Sequence, residues 1–176
     1  RRAAEMIGSS VEPLGARASR VTLVEADVRA VREPKVDVAV ALNFSYMVLK
    51  TRDQLRDYFH AVRDSLAPGG VFVLDIFGGW DSQALKVEKR RGAGFTYVWQ
   101  QASFDPITHD SRFHIHFRFP DGTEMKRAFT YDWRLWTIPE VREILQEPGF
   151  AETRVYWEGT DRKTRNGNGI FRRARR

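Results

Sequence analysis

A chain of 176 residues has room for one domain with a substantial core, and 42% hydrophobic with 12% aromatic content is that of a folded globular protein. Without cysteine it can form no disulfide, thiolate metal site or cysteine nucleophile, and no apolar run approaches the ~20 residues of a membrane span. The net charge of +6 argues weakly for nucleic acid, because eight of the 29 basic residues sit in short clusters: Arg1-Arg2, Arg90-Arg91, Arg172-Arg173 and Arg175-Arg176. These read as solvated tails and a solvated loop, not as the continuous basic face of a nucleic-acid binder. No secretory leader pattern opens the chain, and a cytoplasmic location is the default expectation.

Residues 2–6 suggest a helix end, and 9–19 have loop composition around Gly8, Pro13 and Gly15. Residues 21–28 are rich in β-branched side chains and predict a strand ending near Asp27. Residues 36–42 form a short, nearly continuous apolar run, the pattern of a parallel strand buried on both faces. Thr51 and Gln54 have the spacing of a capping box, and Leu55, Tyr58, Phe59, Val62 and Leu66 behind them make one apolar helical stripe. Pro68-Gly69-Gly70 ends that helix, and residues 71–77 predict a second buried strand. Strand, helix and strand in this order constitute a β-α-β unit of an α/β protein. Ligands of such sheets sit beyond the carboxyl ends of the strands, here Asn43 to Tyr46 and Phe77 to Trp80.

Residues 95–99, 113–119 and 125–133 alternate with period two, with Asp105-Pro106 and Asp121-Gly122 marking turns. They predict a three-stranded antiparallel meander, with Phe113, Ile115, Phe117 and Phe119 on the buried face and Arg112, His114, His116 and Arg118 on the other. Thr137 and Glu140 form a second capping box, ahead of a helix carrying Ile138, Val141, Ile144 and Leu145 inward and stopping at Pro148-Gly149. Residues 150–157 predict a further strand, and 169–171 a strand stub.

The segments 25–29, 36–43, 66–72 and 148–150, in this order and at these spacings, resemble class I methyltransferases that use S-adenosylmethionine. The resemblance covers residues 20–157 and implies an incomplete Rossmann-like α/β sheet with the meander inserted on its substrate side. The expected division is a single partial domain over 1–176: a cofactor-side core at 20–92, the antiparallel insertion at 93–136, and a C-terminal helix and strand at 137–176. The family's Gly-rich turn and ribose-binding acid have no counterpart here, so the chain resembles a fragment, inactive alone, with roughly 50–70 residues expected ahead of it.

The same resemblance implies S-adenosylmethionine as cofactor and a small molecule as acceptor. It places Asp27 and Val28 at the adenine, and Leu42, Asn43 and Phe44 along the methionine moiety. Asp27 also suits a strand-end turn, and Asn43 a turn amide bonding its own backbone. Tyr46 and Phe77 at the strand ends, with Tyr131, Trp133 and Arg134, are the candidate acceptor-binding residues, through aromatic faces and one guanidinium. No residue is singled out as catalytic. His114 and His116 share a strand face, but no third ligand has a suitable spacing, so no metal site is expected. A noncatalytic binding module acting through an exposed sheet edge is the alternative reading.

Overall fold

The computed structural model describes residues 12–164 and 167–174. The helix end expected at residues 2–6 lies outside them, as do Arg1, Arg2, Arg175 and Arg176. Short 3-10 turns occupy Glu12–Arg20, where a loop was expected.

Strand β1 (Val36–Ala41) leads through a 3-10 turn at Ser45–Val48 into helix α1 (Arg52–Ser65) and then strand β2 (Leu66–Leu74). The expected capping box is present: the Gln54 backbone N–H donates to the Thr51 hydroxyl at 3.2 Å, and the Thr51 N–H to the Gln54 side chain at 3.2 Å. β1 and β2 pair in parallel, with Val38 opposite Val71 and Ala41 opposite Leu74. Residues 67–70 are displaced from this register, since Val36 already faces Leu66. Gly69 takes a φ of 78° there, and a Cβ on Gly70 would lie 2.9 Å from the Ala67 carbonyl oxygen, so both positions demand glycine.

Among the described residues, only one face of this pair is covered. α1 buries Leu55, Phe59, Ala61 and Val62, and Phe59 meets Phe72 of β2 at a ring separation of 5.8 Å. On the opposite face Val38 and Val40 are each 55% exposed, with Val71 and Val73 beside them. The apolar run therefore does not mean burial on both faces. Among the described residues, no element packs against those valines.

Residues 21–28 form no strand. Asp27 instead opens a turn in which the Ala30 N–H donates to the Asp27 carbonyl at 2.8 Å. A strand exists only through its ladder, and no described segment runs alongside this one.

The antiparallel sheet has four strands, not three, in the order β3 (Val87–Gly92), β4 (Phe95–Phe104), β5 (Asp110–Arg118) and β6 (Glu124–Arg134). It starts at Val87 instead of residue 93, and Arg90 and Arg91 lie on its edge strand, opposite Tyr97 and Thr96, not on a loop. β3 carries almost no hydrophobic alternation because a solvated edge needs none, and charge there discourages pairing with other chains. Phe113 and Ile115 are buried as expected, Phe117 is half-buried and Phe119 exposed at the strand's end.

Helix α2 (Ile138–Gln146) follows its own capping box and buries Val141, Ile144 and Leu145. Strands β7 (Tyr156–Thr160) and β8 (Gly167–Arg173) form a separate antiparallel hairpin, so the strand expected at 150–157 begins later and the stub is a full partner. One core, running from Ala41 and Phe59 through Met47 to Phe113, Trp136 and Ile144, joins the parallel pair, the meander and α2.

Glu140 gives this assembly a pH signature. Burial pushes its carboxyl up, but the Thr137 N–H and hydroxyl together with the Arg134 guanidinium outweigh that and hold it below its ordinary value of 4.5. A carboxyl depressed on folding contributes stability that is present above the unfolded value and is lost as pH falls through the folded one. The stability advantage of the wild type over Glu140→Gln is therefore expected to be constant above pH 4.5 and to shrink below it, as read by urea unfolding at a series of pH values. An advantage that grew on acidification would contradict these contacts.

Candidate functional site

The carboxyl ends of β1 and β2 face the aromatic inner surface of the meander. Beyond β1, Asn43 and Phe44 both have φ of 56°, two consecutive side-chain-bearing residues in the left-handed region. Such backbone is held only where its surroundings fix it, and it clusters at ligand sites. Here the carboxylate of Asp75, just past β2, accepts the Asn43 N–H at 2.8 Å and the Phe44 N–H at 2.9 Å. The Asp75 N–H in turn donates to the Ala41 carbonyl at 3.2 Å, which ties the two strand ends together.

The Phe44 ring lies 5.5 Å from Phe77 and 6.1 Å from Trp133. Phe77 continues to Trp99 and Phe113, each at 5.7 Å, and Trp133 to Tyr131 at 4.9 Å. Asn43, Phe44, Phe77, Trp133 and Tyr131 thus form one continuous set, a polar tip leading onto an aromatic wall. The Asn43 side-chain amide makes no hydrogen bond among the described residues. It is exposed, so the turn-amide role does not account for it. Leu42 stands beside it, exposed as well.

Tyr46 and Arg134 are placed differently from expectation. Tyr46 is 2% exposed, beneath the tip against Phe59, and cannot present its hydroxyl to an acceptor at the surface. Burial pushes that phenol up, and the nearby Asp75 charge adds to the effect. Among the described residues its hydroxyl has no hydrogen-bond partner. Arg134 stacks 3.9 Å over Trp136, donates to the Lys50 carbonyl at 3.1 Å and reaches Glu140 at 3.0 Å. Its guanidinium braces the end of β6 against the start of α2, while its buried Nε has no hydrogen-bond partner among the described residues.

Asp27 and Val28 are not part of this set. Asp27 lines a separate recess with Arg29, Ala30, Arg32 and the α1 residues Asp57 and His60. The Arg29 side chain and backbone N–H hold its carboxylate down to about 2, with contacts of 2.6–3.2 Å. Val28 is exposed beside it.

The histidines on the outer sheet face are covered, not exposed: His114 is buried and His116 half-buried. The Arg127 N–H donates to His116 Nδ1 at 3.2 Å, so Nε2 carries the proton toward the Gln100 side-chain oxygen at 3.0 Å. His114 Nδ1 meets the Thr130 hydroxyl at 2.9 Å, while burial, then Arg127, His116 and Arg112, push its imidazole down. Among the described residues no group of three or more His, Cys, Asp or Glu could hold a metal ion, and no helix is long and apolar enough to cross a membrane.

Sequence reasoning missed Asp75 as a site residue. Its only signal was an acid within the apolar run 71–77. Its partners, 31 and 32 residues away, become visible only in the fold.

Comparison with solved structures decides the architecture. A S-adenosylmethionine-dependent methyltransferase from Clostridium acetobutylicum superposes with a TM-score of 0.65 at 20% identity, over 82% of this chain and 59% of that one. This chain has the fold of S-adenosylmethionine-dependent methyltransferases. DesVI from Streptomyces venezuelae matches with a TM-score of 0.63 at 21% identity, over 82% and 62% of the two chains. CalS10 from Micromonospora echinaspora, described as an amino pentose methyltransferase and solved with S-adenosylmethionine bound, matches at 0.59 with 20% identity, over 81% and 60%. The chain thus spans about three-fifths of the length of these proteins, and at such identities the likeness concerns the fold. No known family profile and no curated protein matches it.

Proposed function

We propose that the intact protein transfers a methyl group from S-adenosylmethionine to a small-molecule acceptor. The observation that carries this reading is the strained tip at Asn43 and Phe44, which offers a free amide beside an aromatic wall at the strand ends where this fold binds ligands. S-Adenosylmethionine supplies a methyl on a sulfonium sulfur, which an acceptor nucleophile displaces in line. The Asn43 amide suits the polar end of the methionine moiety, with Leu42 and Phe44 along its apolar part. Asp27 would accept the adenine amino group and the Val28 N–H would meet a ring nitrogen. Arg29 now occupies the Asp27 carboxylate, but both side chains are exposed, so exchanging that ion pair for a ligand costs little.

Phe77, Tyr131 and Trp133 form the acceptor side. Their rings exclude water and can lie against an apolar ring face, which orients the nucleophile without supplying a charge. Tyr46 and Arg134 support this surface from behind. CalS10, whose description names an amino pentose methyltransferase, supports a small-molecule acceptor. Methyl transfer belongs to the intact protein, and this chain alone is expected to be inactive.

Calorimetric titration of S-adenosylmethionine into the intact protein tests the reading. Saturable binding is expected, weakened roughly tenfold by Asn43→Ala through loss of a hydrogen bond. A wild type that takes up no S-adenosylmethionine would overturn it.

A further inference from the structure

We propose that Asp75 is a positioning residue: it locks the tip of β1 in the conformation a ligand meets, and so sets the affinity for S-adenosylmethionine without touching it. The proposal rests on the methyl-transfer reading above. Two features of the tip call for an outside restraint. Left-handed backbone is unusual for any side-chain-bearing residue and most costly for a bulky one such as Phe44. The adjacent Asn43 and Phe44 N–H groups also converge on one point, where a single carboxylate can accept both.

In this molecule the anion is built in. The Asp75 carboxylate accepts the Asn43 N–H on Oδ2 at 2.8 Å and the Phe44 N–H on Oδ1 at 2.9 Å, one oxygen for each donor. Asp75 is itself fixed, because its N–H extends the β1–β2 ladder to the Ala41 carbonyl at 3.2 Å. The lock has two consequences. It leaves the Asn43 side chain exposed without a partner among the described residues, and it seats the Phe44 ring against Phe77 and Trp133. One carboxylate thereby sets both the polar contact and the apolar wall beside it.

Asn at position 75 is nearly isosteric but has only one oxygen. Its amide N–H would confront one of the two backbone donors, so one bond is lost and the tip is released. The test combines two measurements on the intact protein: hydrogen exchange of the Asn43 and Phe44 amides, and calorimetric titration with S-adenosylmethionine. In the ligand-free wild type both amides are expected to be protected despite lying at a strand tip. In Asp75→Asn they exchange faster and affinity falls roughly tenfold. Asp37→Asn, an exposed carboxyl on β1 itself, changes neither and controls for general loosening.

Unprotected amides in the wild type overturn the proposal without recourse to any variant, which also covers failure of Asp75→Asn to fold. Faster exchange with unchanged affinity in Asp75→Asn overturns the positioning role. A wild type that does not bind S-adenosylmethionine sinks the methyl-transfer reading and the affinity claim with it. The exchange data still decide whether Asp75 holds the tip.

Discussion

Replacing Phe59 by Ala is expected to lower the free energy of unfolding by about 3–5 kcal/mol, the range for deleting a fully buried aromatic ring. Phe59 is completely buried and lies between Tyr46 at 6.4 Å, Tyr58 at 5.8 Å and Phe72 at 5.8 Å. These rings come from three different elements, the 3-10 turn, α1 and β2, so none can fill the vacated space without shifting a backbone. The cavity term therefore adds to the lost transfer free energy instead of being relaxed away. Domains are stable by only about 5–15 kcal/mol, so much of that margin would go. Urea titration checks this through a lower midpoint at unchanged slope. A loss below about 1 kcal/mol would mean that α1 does not seat on β2 through this ring.

Phe113→Ala is expected to cost a similar amount, about 3–5 kcal/mol, and to disturb the candidate site as well. Phe113 is fully buried in the middle of β5, stacked on Trp99 at 5.1 Å, beside Trp133 at 5.0 Å and Phe77 at 5.7 Å. It is one of the rings through which the meander meets the strand ends, and Trp133 and Phe77 both belong to the proposed acceptor wall. Near-ultraviolet circular dichroism should change with the loss of the Trp99 stack, alongside a lower urea midpoint. An unchanged aromatic spectrum would show that Phe113 does not hold those tryptophans in place. Tyr131→Ala, at the exposed end of the same wall, should change stability far less, because its ring is partly in water already.

Both capping boxes were legible in the sequence and are present, because each is closed by residues three apart whose geometry needs no distant partner. The stripe on α1 and the alternation of β4, β5 and β6 were legible for the same reason: their periods are fixed by local backbone geometry. The β-α-β unit followed from those two signals and chain order.

The edge strand β3 was not legible, since Val87–Gly92 has the composition of a charged loop and becomes a strand only because β4 supplies its ladder. Residues 21–28 err in the opposite direction. Their β-branched content describes a preference, and no described neighbour satisfies it. Arg134 illustrates the same limit at the site: its guanidinium looked free in sequence, yet Lys50, 84 residues away, takes one of its donors.

From its sequence alone this protein had its helices, their caps and the alternation of its aromatic-rich antiparallel segment determined, all by interactions reaching no further than about one helical turn or one strand step. Tertiary structure decided which sheet face is covered, which charged strand joins the meander, and that Asp75 clamps Asn43 and Phe44. Those outcomes turn on hydrogen bonds and ring contacts between residues far apart in the chain, whose free energy is realised only once the core has brought them together.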